Sequence, residues 1–546
     1  MAPPLRIVPL GGLGEVGMNC LALECAGRIA VVDCGLLLDA GLPGAEVAAP
    51  DLRWLLERRE AVDAVFLTHG HDDHLGALPL LLAAVRAPVF GPRLALELLR
   101  RRLDEAGVAA DLRPGAPGAP RGAEGSPFRA ELVPVAHSIP DACALALSTP
   151  QGTVVHTGDF KLDPEPLDGR ATDEARLEAL GRAGVRLLLS DSTNAGVPGL
   201  APTERSVRAG LDAALAGARG RVVVSTFASH LHRIQQVADA ARTRGRRLAF
   251  LGRSVEESAR LGLELGHLSI PPAQLASLAE VREAPPAEAC VLVAGSQGEP
   301  RSALARLARG EHPDLRLGPG DLVVLSARTI PGSERAVGEV LDGLARLGAE
   351  VAQGGALHAT GHGCEEDLRR MIRLVRPAAF LPVHGARRML ERHARLAAEE
   401  GVAARAVAED GEVVELSVAG LRLAGERVPA GRAYADREAL GAAFGEEVAR
   451  ERRRLAEGGL VAVVLAVDRG TGAVVRGPEV HGVGVAGLEG CEAAVRGEVL
   501  EALGASRGPS RPEGAERDEA IRAAVRRVFR RAGLRRPEVL AVLVPP

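Results

Sequence analysis

Six consecutive residues, His69-Gly70-His71-Asp72-Asp73-His74, restrict the folds open to this chain more than any other stretch. They place three imidazoles and two carboxylates after an apolar run, 61–67, that reads as a buried strand. A helical stretch, Leu75 to Val85, follows. Neutral imidazole is the commonest protein ligand for zinc, and an adjacent carboxylate supplies the negative charge a divalent ion requires. One loop cannot complete such a site, so further ligands must arrive at the ends of other strands, as in a layered α/β fold.

The sequence offers such strand ends. Ala130 to Val135 runs into His137-Ser138-Ile139-Pro140-Asp141. Thr153 to Val155 runs into His156-Thr157-Gly158-Asp159, and Val185 to Leu189 into Ser190-Asp191-Ser192-Thr193-Asn194. A single His or Asp after a strand is more often a cap or turn residue; the repetition is what points to a site. At the N-terminus, the strand Leu5 to Leu10 leads into Gly11-Gly12-Leu13-Gly14-Glu15-Val16-Gly17, superficially a phosphate loop. A dinucleotide fold needs a helix next, whereas Cys20 to Glu24 and Arg28 to Asp33 alternate like a hairpin, so the glycines read as a tight turn near the site. Leu36 to Pro50 reads as a loop and Leu52 to Glu60 as a helix.

The net charge of -4 excludes a uniformly basic nucleic-acid binder but not a local arginine-lined groove. Lys161 is the only lysine among 67 basic residues. The seven cysteines form no CxxC pair, which fits reduced thiols, and no apolar run reaches membrane-spanning length. A soluble, cytoplasmic protein is expected, with no membrane partner.

The order His69-x-His71-x-Asp73-His74, then His137, then Asp159 resembles the signature of the metallo-β-lactamase superfamily. The resemblance implies an αββα sandwich with two metal ions at one edge. His69, His71 and His137 would hold one ion, Asp73 and His74 the second, and Asp159 would bridge. The second ion then lacks a ligand, for which His384, after the strand Leu381-Pro382-Val383, is the candidate. Zinc is the expected metal, with manganese compatible at the second position, where carboxylates make the site harder.

His384 lies 225 residues beyond Asp159, and the interval repeats strand and helix. Arg221 to Ser225, Leu248 to Leu251, Cys290 to Ala294 and Asp321 to Ser326 read as strands of a second, parallel sheet. An inserted α/β domain, closed by His358-Ala359-Thr360-Gly361-His362, is similar to the β-CASP branch, whose members act on nucleic acids. Gly295-Ser296-Gln297-Gly298-Glu299-Pro300 and Arg328-Thr329-Ile330-Pro331-Gly332, with the motifs above, resemble the bacterial ribonuclease J family over residues 5 to 430. Thr360 stands where that family usually has Ser, and Leu36 to Pro50 lacks most of the acidic residues associated with that region, so no structural calcium is expected there.

The expected domains are a metallo-β-lactamase domain over 1–200, completed by 351–428 around an inserted β-CASP domain at 201–350. A linker at 429–445 and a small α/β C-terminal domain at 446–546 follow. In the last, helices are expected over Glu446 to Glu457, Gly490 to Leu503 and Glu516 to Ala532. Strands are expected over Leu460 to Val467, Val474 to Arg476 and Pro537 to Pro545, with a turn at Asp468-Arg469-Gly470-Thr471-Gly472 and a link over Gly504 to Gly514.

The resemblance implies a ribonuclease that cleaves single-stranded RNA from a 5′-monophosphate end and internally, in RNA maturation and decay. Asp73 would orient the nucleophile and His362 would be the general acid. Ser229, His230, His358, Ala359, Thr360, Gly361 and His362 would contact phosphate, and the C-terminal domain would support a homodimer or homotetramer. A small-molecule metallo-hydrolase of the same superfamily is the alternative, but it leaves the insert and the His358–His362 motif without a purpose. One Trp and one Tyr leave little aromatic surface for stacking bases, so backbone contacts should dominate.

Overall fold

The computed structural model describes residues 3–330, 333–436, 440–468, 473–504 and 515–544. Residues 331–332 of the Arg328–Gly332 motif, 469–472 of the expected turn, 505–514 of the expected link and the terminal Pro545 lie outside the described residues. Contacts divide the chain into two units, Met1–Leu38 with Ala49–Gly431, and Asp39–Ala48 with Arg432–Pro546.

In the first unit two sheets face each other. One has eight strands, in the order 420–427, 412–417, 5–11, 20–25, 28–32, 62–66, 89–91 and 112–114. The other has six, in the order 129–134, 143–149, 152–156, 185–191, 379–383 and 404–405. Side-chain alternation explains the layering. In the strand Val185–Asp191, Leu187 and Leu189 enter the core between the sheets with Leu23, Val32 and Phe66. Leu188 points the other way, onto a layer with Leu177, Leu368, Met371 and Leu396 from the covering helices. A strand buried on both faces reads as a continuous apolar run, and each fully buried Leu or Phe contributes about 1.5–3 kcal/mol.

The same logic builds the insert. Its five strands, ordered 247–251, 289–293, 222–225, 322–325 and 350–353, are all parallel. Val222 and Val224 face one core and Val223 the other.

Strand direction positions the site. Gly152–His156, Val185–Asp191 and Ala379–Val383 are parallel neighbours, so Asp159, Asp191 and His384 emerge at one edge of the sheet. Val62–Phe66 delivers His69 there, and Arg129–Pro134 delivers His137. The expected helix Leu75 to Val85 is two short helices, Asp72–Leu75 and Leu78–Leu82, with His71 as the N-cap of the first.

In the second unit, strands 474–483, 460–467 and 538–544 form a sheet, with Val461, Val463 and Leu465 packed against helices Leu488–Gly504 and Ala515–Arg531. One expectation is overturned here. Leu36 to Pro50, read as a loop, contains strands Leu37–Leu42 and Ala45–Pro50, which form a three-stranded sheet with Arg432–Ala435. The third strand comes from the segment expected as a linker. Leu37–Leu42 and Ala45–Pro50 are neighbours joined through Pro43-Gly44, but the pairing with Arg432–Ala435 spans almost four hundred residues and leaves no local pattern to read.

Candidate metal centre

The sequence-predicted ligands converge as two groups, His69, His71 and His137, and Asp73, His74, Asp159 and His384. In the first, His71 Nδ1 lies 3.1 Å from both His69 Nε2 and His137 Nε2. In the second, His74 Nε2 and His384 Nε2 each lie 3.7 Å from Asp73 Oδ2. Asp159 Oδ2 sits between the groups, 3.2 Å from His74 Nε2, 3.7 Å from His69 Nε2 and 3.8 Å from His137 Nε2. A carboxylate placed there could serve both groups. Asp72 is in neither group and pairs with Arg102 instead.

Four of the five imidazoles are aimed by their other nitrogen. His74 Nδ1 donates to Asp33 Oδ2 at 2.7 Å and His137 Nδ1 to the Gly361 carbonyl at 2.7 Å. Thr68 Oγ1 donates to Asp33 at 2.7 Å and receives His69 Nδ1 at 3.0 Å. His384 Nδ1 lies 2.8 Å from Asp159 Oδ1, and its buried Nε2 has no hydrogen-bond partner. Such partners fix the tautomer and leave Nε2 of these four rings free to ligate, whereas His71 turns its Nδ1 toward the group.

Two glycines permit this closeness. A Cβ on Gly361 would stand 2.7 Å from Ser138 Oγ and 2.8 Å from the His137 ring, and one on Gly35 would overlap the Asp73 backbone.

The electrostatics fit a cation. Burial, with the neighbouring imidazoles, holds His69 and His137 well below the ordinary histidine range, so both present lone pairs. Lone pairs about 3 Å apart repel unless a cation lies between them. Burial alone would lower His74, but Asp159, Asp73 and Asp33 outweigh it and raise it well above the ordinary range. Burial would likewise raise Asp159, yet His384, His74 and His362 hold it well below the usual carboxylate range. Protons thus occupy positions that metal ions would take over on binding. The donor set of five imidazoles and two carboxylates suits divalent metals of the zinc class.

His362 stands at the rim, its side chain about one-fifth exposed, with Nδ1 2.8 Å from Asp191 Oδ2 and 3.9 Å from Asp159 Oδ2. Burial opposes its charge, but Asp191 and Asp159 together push its pKa up to about 9. Nδ1–H is committed to Asp191, which leaves Nε2–H as the free donor.

Beyond His362 lie the expected phosphate contacts. His230 caps the helix Leu231–Thr243 by accepting the Arg233 N–H at its Nδ1, so the neutral ring carries its proton on Nε2, which is buried, makes no hydrogen bond and lies 3.6 Å from Glu204 Oε1. His358 Nδ1 is also unpartnered; burial, then Arg233 and Arg328, lower its pKa to about 4. Thr360 Oγ1 accepts from Asn194 Nδ2 at 2.9 Å and from His362 N at 3.2 Å, so its own hydrogen remains available. Ser229 precedes His230, and Ala359 and Gly361 lie in the same short segment. A cavity of about 630 Å³ is bordered by His137, Lys161, Glu204 and His232.

Sequence reasoning missed Asp33, Asp191 and Asn194 as parts of the site. Asp191 and Asn194 stood on a noted strand end, and Asp33 closed a hairpin strand; none carries a spacing that marks it.

Four families match segments of the chain: "Metallo-beta-lactamase superfamily" over residues 17–198, "Ribonuclease J, beta-CASP domain" over 219–344, "Zn-dependent metallo-hydrolase RNA specificity domain" over 355–407 and "Ribonuclease J C-terminal domain" over 447–545. Among curated relatives, Ribonuclease J of Mycobacterium tuberculosis is 40% identical over 489 residues, covering 88% of this chain and 86% of the relative. Ribonuclease J of Thermus thermophilus is 41% identical, covering 84% and 82%. Ribonuclease J2 of Bacillus subtilis is 37% identical, covering 87% and 86%. A solved structure, a protein of unknown function from Enterococcus faecalis, shares the fold with a TM-score of 0.53 at 17% identity, over 76% of this chain and 100% of that one.

Proposed function

The chain belongs to the ribonuclease J family of metal-dependent ribonucleases, and on that premise we propose that it degrades single-stranded RNA 5′ to 3′ from monophosphorylated ends and also cuts internally, in RNA maturation and decay. The observation that carries this reading is one short segment, 358–362. It joins the unpartnered His358 Nδ1 and the Thr360 hydroxyl, which accepts two hydrogen bonds and keeps its own hydrogen to donate, to a charged imidazole at the rim of the metal cluster.

His69, His71 and His137 would hold one divalent ion, and Asp73, His74 and His384 the other, with Asp159 between them. Zinc is the expected metal, and manganese is compatible with the second ion. Two such ions make water nucleophilic at neutral pH and neutralise charge at phosphorus.

The side chains do the rest. Asp73, about 30% exposed, accepts a hydrogen bond from the attacking water and aligns it. His362 donates its Nε2 proton to the departing ribose 3′ oxygen, and Asp191 holds the ring in the required tautomer. The phosphate stays with the 5′ oxygen, so each product is a 5′-monophosphate. His230, His358 and the Thr360 hydroxyl, with Ser229 and the amides around Ala359 and Gly361, would bind the terminal phosphate. At a fixed distance from the metals, this makes the enzyme step nucleotide by nucleotide.

We assign the chain to the domains 1–200 with 351–428, 201–350 and 446–546. The last of these would make a homodimer or homotetramer. Val475, Val483 and Leu540, which are 59%, 74% and 47% exposed on its sheet, support that reading. No helix among the described residues is long and apolar enough to cross a membrane; a cytoplasmic location agrees with the scattered, unpaired cysteines.

Matched oligoribonucleotides with 5′-monophosphate, 5′-triphosphate or 5′-hydroxyl ends test the proposal. Mononucleotides released rapidly from the first alone support it. Equal release from all three contradicts the end preference, and release of oligonucleotides alone contradicts stepwise action.

A further inference from the structure

Arg233 is the largest fully buried side chain of the described residues, at 0% exposure. A guanidinium there must be matched on every side. Its Nε and Nη2 donate to Glu204 Oε1 at 3.0 and 2.7 Å. Its Nη1 donates to Ser326 O at 2.9 Å, to Ser326 Oγ at 2.7 Å and to Leu357 O at 3.0 Å. Ser326 Oγ in turn donates to Leu357 O at 2.7 Å.

These partners lie on different parts of the chain. Glu204 is on the segment that enters the insert, and its backbone N–H donates to Asp163 Oδ2 at 2.8 Å. Asp163 also pairs with Lys161, whose Nζ donates to Pro202 O. Leu357 is on the segment that leaves the insert, one residue before His358. One side chain therefore clamps both crossings to the first turn of the helix that His230 caps.

The other half of the 358–362 segment has separate anchors. Asn194 Nδ2 donates to Thr360 Oγ1 and, at 3.1 Å, to His362 O, while Asp191 holds the His362 ring.

We propose that Arg233 is a positioning residue for RNA binding: it holds His230 and His358 in register as a phosphate-binding pair, while the metal centre and His362 keep anchors of their own. This rests on the reading of those two histidines as phosphate donors. The consequence is a split between binding and turnover. Loosening the Arg233 clamp should weaken RNA binding and leave the chemical step of bound RNA almost unchanged.

Two variants test it. R233K keeps the charge beside Glu204, but an ammonium has no planar fork with which to span Glu204, Ser326 and Leu357. E204Q/R233M removes both charges together, so no buried charge is left unpaired. H230A is measured beside them. Metal content, thermal unfolding, KM and kcat on a 5′-monophosphorylated oligoribonucleotide are the readouts. In R233K and E204Q/R233M, KM should rise about tenfold to a hundredfold through misaligned phosphate hydrogen bonds, with kcat within about threefold and metal content unchanged. A merely structural role would lower the active fraction, so kcat would fall at constant KM; that result overturns the proposal. If H230A raises KM and the other two do not, the Arg233 proposal fails and the phosphate pocket stands. If H230A leaves KM unchanged, the pocket reading itself fails, and the proposal with it.

Discussion

Replacing Asp191 by Asn tests the catalytic assignment of His362 through a physical property of one ring. In the metal-free protein, burial is the largest influence on that ring and favours its neutral form. Asp191 at 2.8 Å and Asp159 at 3.9 Å reverse the balance and bring the pKa to about 9. Coulomb energy falls as the inverse of distance, so Asp191 is the stronger partner by about 1.4-fold before its hydrogen bond is counted. Without it, burial, the largest influence, is opposed only by Asp159 and Asp73, and the pKa should fall by about one unit or more, a loss of about 1.4 kcal/mol or more. The sign for stability follows. A charged His362 stabilises the metal-free fold fully below about pH 6.5, and this contribution is lost as pH rises through about 9. D191N should lose part of it. NMR titration of ring-labelled histidine in metal-free D191N reads the pKa directly, with H362A used for assignment. In the metal-loaded enzyme kcat should drop about a hundredfold or more, because the ring loses the Asp191 carboxylate that holds its tautomer and orientation for proton donation. A His362 ring that still titrates near pH 9 in D191N would refute the reasoning.

Other substitutions probe the remaining parts of the site. D72A should retain both metal ions, because Asp72 pairs with Arg102 and belongs to neither ligand group; metal loss in elemental analysis would show the ligand assignment to be wrong. G361A should push a methyl group to 2.8 Å from the His137 ring, cost about 1–3 kcal/mol in a thermal melt and weaken the first ion; an unchanged melt and metal affinity would contradict the close packing. T360S should bind monophosphorylated RNA like the parent, whereas T360V should raise KM about tenfold by removing one phosphate donor; equal KM values would take Thr360 out of the pocket.

Legibility of this fold followed sequence distance and chemistry. The His69–His74 loop, His137, Asp159 and His384 could be read because metal ligands at strand ends combine an unusual residue type with an apolar run. The parallel insert was legible because strands buried on both faces, such as Val222–Ser225, are continuous apolar runs. The sheet joining Leu37–Leu42 and Ala45–Pro50 to Arg432–Ala435 was not, since its pairing with the third strand is long-range and that strand has only four residues. Asp33 and Asp191 act by aiming other side chains, and a hydrogen bond to an imidazole leaves no mark on spacing or periodicity. Arg233 looked like any helical arginine in an arginine-rich chain; only its complete burial distinguishes it.

The central claim is that the converging imidazoles and carboxylates form a two-ion site for cutting RNA. The direct measurement strips the protein with a chelator, titrates zinc or manganese back, and follows bound metal and cleavage of 5′-monophosphorylated RNA in the same samples. Cleavage should be absent without metal and rise to a plateau at two ions per chain, with 5′-mononucleotides as product. Protein that holds two ions per chain and leaves the RNA intact would contradict the claim, as would undiminished cleavage after the metal is removed.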